Sequence, residues 1–329
     1  MIKNFNKYIL QGYLFGQQNC YISTTSINTS SSSVPILDPW FITGLVDGEG
    51  SWGLSINKDP KRTVGYVITV AFELSLHNKD IYILKGLQAY FGVGKIYKNA
   101  DNMMHYKVSS IKDLQKVVIP HFEKYPLVTQ KRADFEILKC VIGILNKGPL
   151  TSEDLKQIIN LKASINRGLP DKLKVDFPDI ISVCRPPVKF LGIPDSNWLC
   201  GFVEAEGCFY ISIYKSPKSK LCMAVQLVFV VTQHIRDKEL IEGLKEYLNC
   251  GKFSVRKGNE ACDYKVTSLA DINEKIVPFF LKFPLTGTKS LNFKDFLKVV
   301  NIMNEKGHLT ASGLKTIENI KVGMNTGRS

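Results

Sequence analysis

The chain carries one sequence pattern twice, and this duplication constrains its fold more than any other feature. Residues 38–52 read DPWFITGLVDGEGSW, and residues 195–209 read DSNWLCGFVEAEGCF. Each copy runs from an aspartate through an apolar segment with a central glycine to acid, small residue, acid and glycine. The second acid is Glu49 in the first copy and Glu206 in the second. Such a repeat predicts two related domains with a pseudo-two-fold site between them.

The repeat extends well beyond this motif. His77 and His234 keep the spacing of the two glutamates, and YPL at 125–127 corresponds to FPL at 283–285 one residue later. A period this long indicates duplication of a whole domain and not a solenoid of short repeats.

Length and composition predict the domain boundaries. A chain of 329 residues is long enough for about two domains. The Ser/Thr-rich stretch at 22–33 is typical of a flexible leader, and Pro186-Pro187 stops a helix and stiffens a connection. We therefore predict a leader over residues 1–37, an N-terminal domain over 38–181, a linker over 182–194 and a C-terminal domain over 195–329.

Secondary-structure signals recur in the same order in both copies. Asp38 and Asp195 are suitable helix N-caps. Segments in which polar and apolar residues alternate follow them, as in half-buried strands. The order is helix, two strands, helix, two strands and then helices, which predicts an α+β fold with a four-stranded antiparallel sheet in each copy. One face of each sheet is predicted to be core and the other polar, aromatic and basic.

The repeated helix has small residues on one face. Gly44 and Gly48 are four residues apart, and the second copy repeats this spacing with small residues. Small residues let two helix backbones approach closely. We therefore predict that the two helices pair at the domain interface, and that Glu49 and Glu206 emerge at the same end.

Two carboxylates in this position are unfavourable for stability. An acid near a helix C-terminus faces the negative end of the helix dipole, at a cost of roughly 0.3–1 kcal/mol, and like charges repel. A bound hard divalent cation such as Mg²⁺ would make the electrostatic energy of the two carboxylates favourable. Because both copies keep the placement, Glu49 and Glu206 are predicted to be functional and not simply solvated. Asp47 and Glu204, on another side of the helix, are assigned to capping or to basic partners.

The charge balance favours a polyanionic partner. The chain has 43 Lys and Arg against 30 Asp and Glu, with a pI near 9.2. Charge alone fits nucleic acid, anionic lipid or ribosome equally, and the polar and basic sheet faces favour nucleic acid. There is no apolar run of about 18 residues, so we predict neither a transmembrane helix nor a membrane partner.

Five segments together resemble a known family. They are ITGLVDGEG (42–50), LCGFVEAEG (199–207), FEKYPLVTQK (122–131), QLVFVVTQHIRDKEL (226–240) and HLTASGL (308–314). These segments resemble the LAGLIDADG homing endonucleases, in particular the single-chain, two-repeat type found in fungal mitochondrial introns. The resemblance implies pseudosymmetric αββαββα repeats that form a saddle over double-stranded DNA.

The resemblance also implies an activity. A monomer would cleave both strands of a long asymmetric target across the minor groove and leave short 3′ overhangs. It would use Mg²⁺, with Mn²⁺ or Ca²⁺ able to substitute in binding, and would be mitochondrial. The catalytic and metal-binding residues implied are Glu49 and Glu206, with the backbone carbonyls of Gly48 and Ala205 as further metal ligands.

Basic and amide side chains are predicted to assist catalysis. Lys131 and Lys289 are equivalent in the repeat, and with Arg256 they are candidates for stabilising charge on the phosphate. Positioning of a phosphate is an equally open role for the two lysines. Gln226, on the polar side of its strand, is a candidate for orienting water.

The predicted DNA-binding residues lie on the polar strand faces and the first hairpin loops. They are Ser51, Ser55, Asn57, Lys61, Arg62, Thr69, Lys95, Lys107, Tyr210, Ser212, Tyr214, Lys218, Lys220, Gln226, Ser254, Arg256, Lys265 and Thr267. Two alternatives use the same fold and charge. One is an RNA maturase that binds its host intron, and the other is a DNA-binding protein that does not cleave.

Overall fold

Both copies of the motif form helices in the computed structural model, which describes residues 34–99, 101–166 and 168–328. The elements of the first repeat are α1 (Pro39–Glu49), β1 (Gly50–Lys58), β2 (Tyr66–His77), α2 (Ile81–Phe91), β3 (Lys95–Lys98), β4 (Met103–Val108), α3 in three parts (Ile111–Asp113, Leu114–Val118 and Ile119–Lys124), α4 (Lys131–Leu145), α5 (Ser152–Ala163) and α6 (Asp171–Asp176).

The second repeat follows the same order. Its elements are α7 (Ser196–Glu206), β5 (Gly207–Lys215), β6 (Met223–His234), α8 (Lys238–Leu248), β7 (Lys252–Val255), β8 (Ala261–Val266), α9 in three parts (Leu269–Asp271, Ile272–Ile276 and Val277–Lys282), α10 (Lys289–Asn304) and α11 (Ala311–Val322). A 3₁₀ turn joins the second strand to the next helix in each repeat, at Asn78–Asp80 and Ile235–Asp237. The predicted α+β fold of αββαββα repeats is confirmed.

The sheets of the two repeats have the same topology. Their strand orders are β1-β2-β4-β3 and β5-β6-β8-β7, and all neighbouring strands are antiparallel. In the first sheet Trp52 lies opposite Phe72, and their rings stack with centroids 4.9 Å apart. In the second, Phe209 and Phe229 repeat this pair at 4.8 Å. These buried rings face the helices, so the predicted core face is confirmed.

The helices α1 and α7 begin as predicted. The Asp38 carboxylate accepts a hydrogen bond from Trp40 N at 2.8 Å, and Asp195 accepts one from Asn197 N at 2.7 Å. Neither helix ends with a glycine in the left-handed conformation that is common at helix C-termini. Gly50 follows α1 with extended backbone, and a Cβ there would lie 2.5 Å from Val46 Cγ1. Glycine is therefore required by crowding and not by a left-handed conformation.

Small residues bring α1 and α7 into backbone contact. A Cβ at Gly44 would overlap the carbonyl oxygen of Trp198, and a Cβ at Gly201 would overlap that of Phe41. Each glycine thus lies directly on the backbone of the opposite helix. The predicted pairing of the two helices is confirmed.

The segments outside the repeats differ in how they match the prediction. Residues 1–33 of the predicted leader lie outside the described residues. Leu37, also assigned to the leader, is buried in the core beside Gly86, so the folded unit starts before Asp38. Residues 180–195, which include the predicted linker, form neither helix nor strand. Among the described helices, none is long and apolar enough to cross a membrane.

Candidate active site

Glu49 and Glu206 are the last residues of α1 and α7, and the pairing of the helices brings these ends together. Gly48 is packed so closely on Ala205 that a Cβ would overlap it, and would lie 3.3 Å from Glu206 Cγ. Partial burial raises the pKa of both glutamates. The negative charge of Glu49 raises the pKa of Glu206 further. The two carboxylates therefore share one partly desolvated site.

Two lysines bring positive charge to the same site. Lys131 is the first residue of α4, and its Nζ donates to the carbonyl oxygens of Gly48 and of Val46, the latter at 3.4 Å. Lys289 is the first residue of α10, and its Nζ donates to Val203 O at 3.0 Å. Burial lowers the pKa of both lysines, and the two glutamates oppose that shift.

Lys289 also donates to the carbonyl oxygen of Ala205 at 3.3 Å. The lysines thus reach the carbonyls of Gly48 and Ala205, which are equivalent in the repeat. Two carboxylates, two ammonium groups and two helix-end carbonyls are arranged about the axis that relates α1 to α7.

The remaining acids of the motif fix the segments that precede these lysines. Asp47 is fully buried and accepts hydrogen bonds from Val128 N at 3.0 Å and Thr129 N at 2.9 Å. Glu204 accepts one from Thr286 N at 3.1 Å. Burial raises the pKa of both acids, and these backbone donors offset part of the shift. These amides precede the cap residues Gln130 and Thr288, so neither acid caps a helix directly. The charge of Lys289 also offsets part of the rise in the pKa of Glu204, as a basic partner would.

The structure does not bring Gln226 to the glutamates. Gln226 lies opposite Ser212, which is six residues and about 20 Å along β5 from the end of α7. Gln233 is there instead, and its Nε2 donates to Glu206 Oε1 at 3.2 Å. Its own Oε1 accepts from His234 N at 2.8 Å, which fixes the orientation of the amide.

Gln226 lies on the polar face of β6 by alternation, whereas Gln233 lies on the same side of the strand as the core residues Leu227 and Phe229. At the end of β6, however, that side of the strand meets the end of α7 and not the core. The pairing register of β5 with β6 indicates that Gln233 lies near Glu206. β5 starts at Gly207, immediately after Glu206, and Gly207 pairs with Val231, two residues from Gln233. In the first repeat the corresponding residue is Leu76.

Arg256 is also separate from the glutamates. Its guanidinium forms two hydrogen bonds to Asp263, from Nε at 2.9 Å and from Nη2 at 2.8 Å, and a third to Thr232 Oγ1. These bonds use Nε and Nη2 and hold the guanidinium at Asp263 and Thr232. The suggestion that Arg256 helps at the reacting phosphate is therefore not supported by its position.

A basic cleft opens beside the first half of the site. It has a volume of about 740 Å³, and Ser51 and Asn166 line it. The cations along its walls are Lys131, Lys162, Arg185 and Arg236. Arg236 comes from the second repeat, so both repeats contribute charge to the cleft.

Comparison with known proteins places these features in a family. A profile of the LAGLIDADG endonuclease family matches residues 42–160 and 199–300, which contain Glu49, Glu206 and both lysines. The chain belongs to the LAGLIDADG endonuclease family.

Relatives in this family come from fungi. The chain is 39% identical over 286 residues to the probable intron-encoded endonuclease 3 of Neurospora crassa, covering 85% of this chain and 53% of that protein. It is 34% identical over 298 residues to the probable intron-encoded endonuclease 2 of the same fungus, covering 87% and 64%. The chain therefore spans between half and two thirds of the length of these relatives.

Solved LAGLIDADG structures match nearly in full. The I-LtrWI homing endonuclease bound to target DNA has a TM-score of 0.86 and 46% identity, covering 88% of this chain and 98% of that one. The I-SmaMI homing endonuclease bound to cleaved DNA has a TM-score of 0.87 and 37% identity, covering 89% and 98%.

The DNA-binding residues predicted for this LAGLIDADG chain are all exposed or half-buried. In the first sheet Ser55 lies directly opposite Thr69, and in the second Ser212 lies opposite Gln226. These are equivalent places on the polar face of the sheet. Lys107 forms an ion pair with Glu73 at 2.5 Å, which reduces its free charge.

The donor atoms at the helix ends determine which metal ion the predicted ligands suit. Among residues 34–99, 101–166 and 168–328, no three or more His, Cys, Asp or Glu side chains form a metal-binding group. The donors at the helix ends are two carboxylates and two carbonyls, which are the hard oxygen ligands that Mg²⁺ and Ca²⁺ prefer. The carbonyls of Gly48 and Ala205 already accept from cationic lysines. The residues fit a hard divalent cation.

Proposed function

We propose that the chain is a homing endonuclease that hydrolyses one phosphodiester in each strand of a long asymmetric double-stranded DNA target. The observation that carries the proposal is the convergence of Glu49 and Glu206, each accompanied by the lysine of its own repeat. Family membership supports it, as do the relatives described as endonucleases and the homologous structures with target and cleaved DNA.

Glu49, Glu206 and the carbonyls of Gly48 and Ala205 would hold Mg²⁺, with Mn²⁺ or Ca²⁺ as substitutes in binding. The chemistry that a bound cation supplies is Lewis-acid polarisation of the phosphate. I-SmaMI has been solved with uncleaved DNA target in the presence of calcium ions, which supports a divalent cation here.

The protein's own groups have distinct tasks. The ammonium groups of Lys131 and Lys289 are held where they stabilise negative charge that develops on the phosphate oxygens, or position the phosphate before reaction. Gln233 donates to Glu206 and holds its carboxylate in one orientation. Buried carboxylates need this compensation, because burial favours their neutral form.

The two sheets would read the target. Phosphate contacts from lysines and arginines give affinity, and polar side chains that reach base edges give specificity. The repeats differ at equivalent places, with Thr69 in the first against Gln226 in the second and Asn57 against Tyr214. Different readers at equivalent positions favour an asymmetric target over a palindrome.

One chain supplies both halves of the site, so we propose a monomer. A mitochondrial location is proposed from the relatives. One of them, 24% identical over 251 residues, is the mitochondrial protein RF1 of Saccharomyces cerevisiae.

Selection from a randomised DNA library tests the function. The protein is incubated with the library in Mg²⁺ or in EDTA, and the cut ends of both strands are sequenced. We expect one long target cut on both strands only with Mg²⁺, with the two cuts offset to leave short 3′ overhangs. Enrichment of one bound sequence without cut ends would contradict the endonuclease and support the non-cleaving alternative. Absence of any enriched DNA, together with tight binding of host intron RNA, would support a maturase.

A further inference from the structure

The segments that carry the two lysines are held by the opposite repeat. Asp237, in the turn between β6 and α8 of the second repeat, accepts a hydrogen bond from Gln130 N at 2.8 Å. Gln130 immediately precedes Lys131 of the first repeat. The contact therefore crosses the interface and ends one residue from the lysine.

The reciprocal contact is present on the other side. Asp80, in the turn between β2 and α2 of the first repeat, accepts hydrogen bonds from Thr288 N and Thr288 Oγ1, both at 2.6 Å. Thr288 immediately precedes Lys289 of the second repeat. Asp80 and Asp237 are equivalent, because each lies three residues after the paired histidines His77 and His234.

These contacts lie at the starts of α4 and α10, where backbone N–H groups need partners. The amide groups at the start of a helix have no partner within the helix, and a negative charge there interacts favourably with the helix dipole. Gln130 and Thr288 are the cap residues of α4 and α10, and neither uses its own side chain to cap the helix. The aspartates of the opposite repeat accept from the backbone N–H groups of these cap residues, and in α4 Thr129 Oγ1 accepts from Lys131 N at 3.3 Å.

Within each repeat, the carboxylate contacts lie further along the chain from the lysines. Asp47 binds Val128 and Thr129, whereas Asp237 binds Gln130, the residue next to Lys131. The two repeats therefore bind successive residues of the segment that precedes Lys131. If the contact from Asp237 is lost, the segment remains attached through Asp47.

We propose that Asp237 is a positioning residue for Lys131, and Asp80 for Lys289, so that each half of the site is completed by the other repeat. The consequence for catalysis rests on the proposed endonuclease function, whereas the positioning itself does not. Neither aspartate contacts the glutamates in the hydrogen-bond network. Asp237 also forms an ion pair with Arg236 at 3.5 Å, and the labelling of Lys131 distinguishes an effect on the lysine from one on Arg236.

Trace acetylation of the full chain with limiting acetic anhydride tests the positioning, with each lysine quantified by peptide mass spectrometry. In Asp237→Ala we expect the labelling of Lys131 to rise several-fold relative to Lys289. In Asp80→Ala we expect the reverse. Asp154→Ala is the matched control, because Asp154 caps α5 through Thr151 and should change neither lysine.

The asparagine variants keep an acceptor oxygen and guard against loss of folding. Asp237→Asn should raise the labelling of Lys131 less than the alanine variant does, and Asp80→Asn should do the same for Lys289. Thermal melting identifies any alanine variant that does not fold. The asparagine variant is then compared with the wild-type protein, in which the labelling of the same lysine should be lower. Equal labelling of both lysines, a response of the lysine in the same repeat, or no response would overturn the proposal.

Nicking of each DNA strand connects positioning to function. Asp237→Ala should slow the strand that Lys131→Met slows, and Asp80→Ala the strand that Lys289→Met slows. Crossed labelling without this match supports the positioning and overturns the catalytic role of the lysines. Uncrossed labelling overturns the positioning, whatever the nuclease activity.

Discussion

Asp47 Oδ2 accepts a hydrogen bond from Trp198 Nε1 at 2.8 Å, which joins the last turn of α1 to the first turn of α7. Both side chains are fully buried. Asp47 is not one of the two active-site carboxylates, but it helps to hold together α1 and α7, the helices that carry them.

Trp198→Phe should therefore destabilise the protein. The substitution keeps an aromatic ring but leaves a buried carboxylate with one donor fewer, which removes about 1–3 kcal/mol of unfolding free energy. Urea unfolding measures the change. Trp40→Phe is the control, because Trp40 is half-buried and packs edge-on against Tyr125. Equal losses in the two variants would show that the hydrogen bond to Asp47 contributes nothing.

Gly44→Ala should push the paired helices apart. The new Cβ would overlap the carbonyl oxygen of Trp198 and lie 2.8 Å from Phe202 N, and both neighbours are backbone. Overpacking of this kind costs about 1–3 kcal/mol or more. Gly143→Ala is the matched control, since Gly143 is in α4 and a Cβ there meets nothing within 4 Å. That variant should be neutral or stabilised by up to about 1 kcal/mol, and the same loss in both would contradict backbone contact.

Glu206→Gln should stabilise the metal-free protein at neutral pH and not in acid. The folded pKa of Glu206 is raised, first by burial and then by Glu49. The folded state therefore binds the proton more tightly than the unfolded state. This contribution to stability is fully present below the ordinary glutamate pKa of about 4.3 and is lost as pH rises through the raised value.

Glutamine resembles the protonated carboxyl, so the advantage of the variant should grow from acid to pH 7. Urea unfolding of both proteins across this range, in EDTA, measures it. An advantage that is constant with pH would contradict the raised pKa of Glu206.

Gln233→Ala and Gln226→Ala should have different effects. Gln233 holds the Glu206 carboxylate, so its loss should slow single-turnover cleavage by about 10–100-fold at saturating protein. Gln226 lies on the sheet face opposite Ser212, so its loss should relax sequence preference by about 1–3 kcal/mol at one base pair. Cleavage rates on a panel of single-base target variants separate the two effects. A slow Gln226→Ala enzyme with unchanged preference would reverse the assignment.

Duplication and periodicity were sufficient to predict the architecture. Asp38 and Asp195 marked the helix starts, the spacing of Gly44 and Gly48 predicted the interface, and the pattern from Trp52 to Ile56 identified the core face. These signals are local, because period and capping depend on neighbours in sequence. Because the domain is duplicated, each of these signals occurs twice in the sequence.

What the sequence could not supply is contact between distant elements. Gln233 is near Glu206 because of strand register, which a periodic pattern does not define completely. Arg256 is held by Asp263 on the neighbouring strand, and this pairing is equally invisible in a polar pattern. The crossing from Asp237 to Gln130 depends on how one repeat is placed against the other, so no feature of either repeat alone indicates it.

The most direct test of the central claim is single-turnover cleavage of the selected target, with both strands labelled, by three glutamate variants. Glu49→Gln and Glu206→Gln remove the paired carboxylates. Glu305→Gln removes an exposed carboxylate at the end of α10 and is the matched control. We predict that the first two variants bind the target in Ca²⁺ but cut neither strand at a normal rate in Mg²⁺, while Glu305→Gln cuts both strands like the wild-type protein. Normal cleavage by either of the first two variants would contradict the claim that these glutamates form the active site.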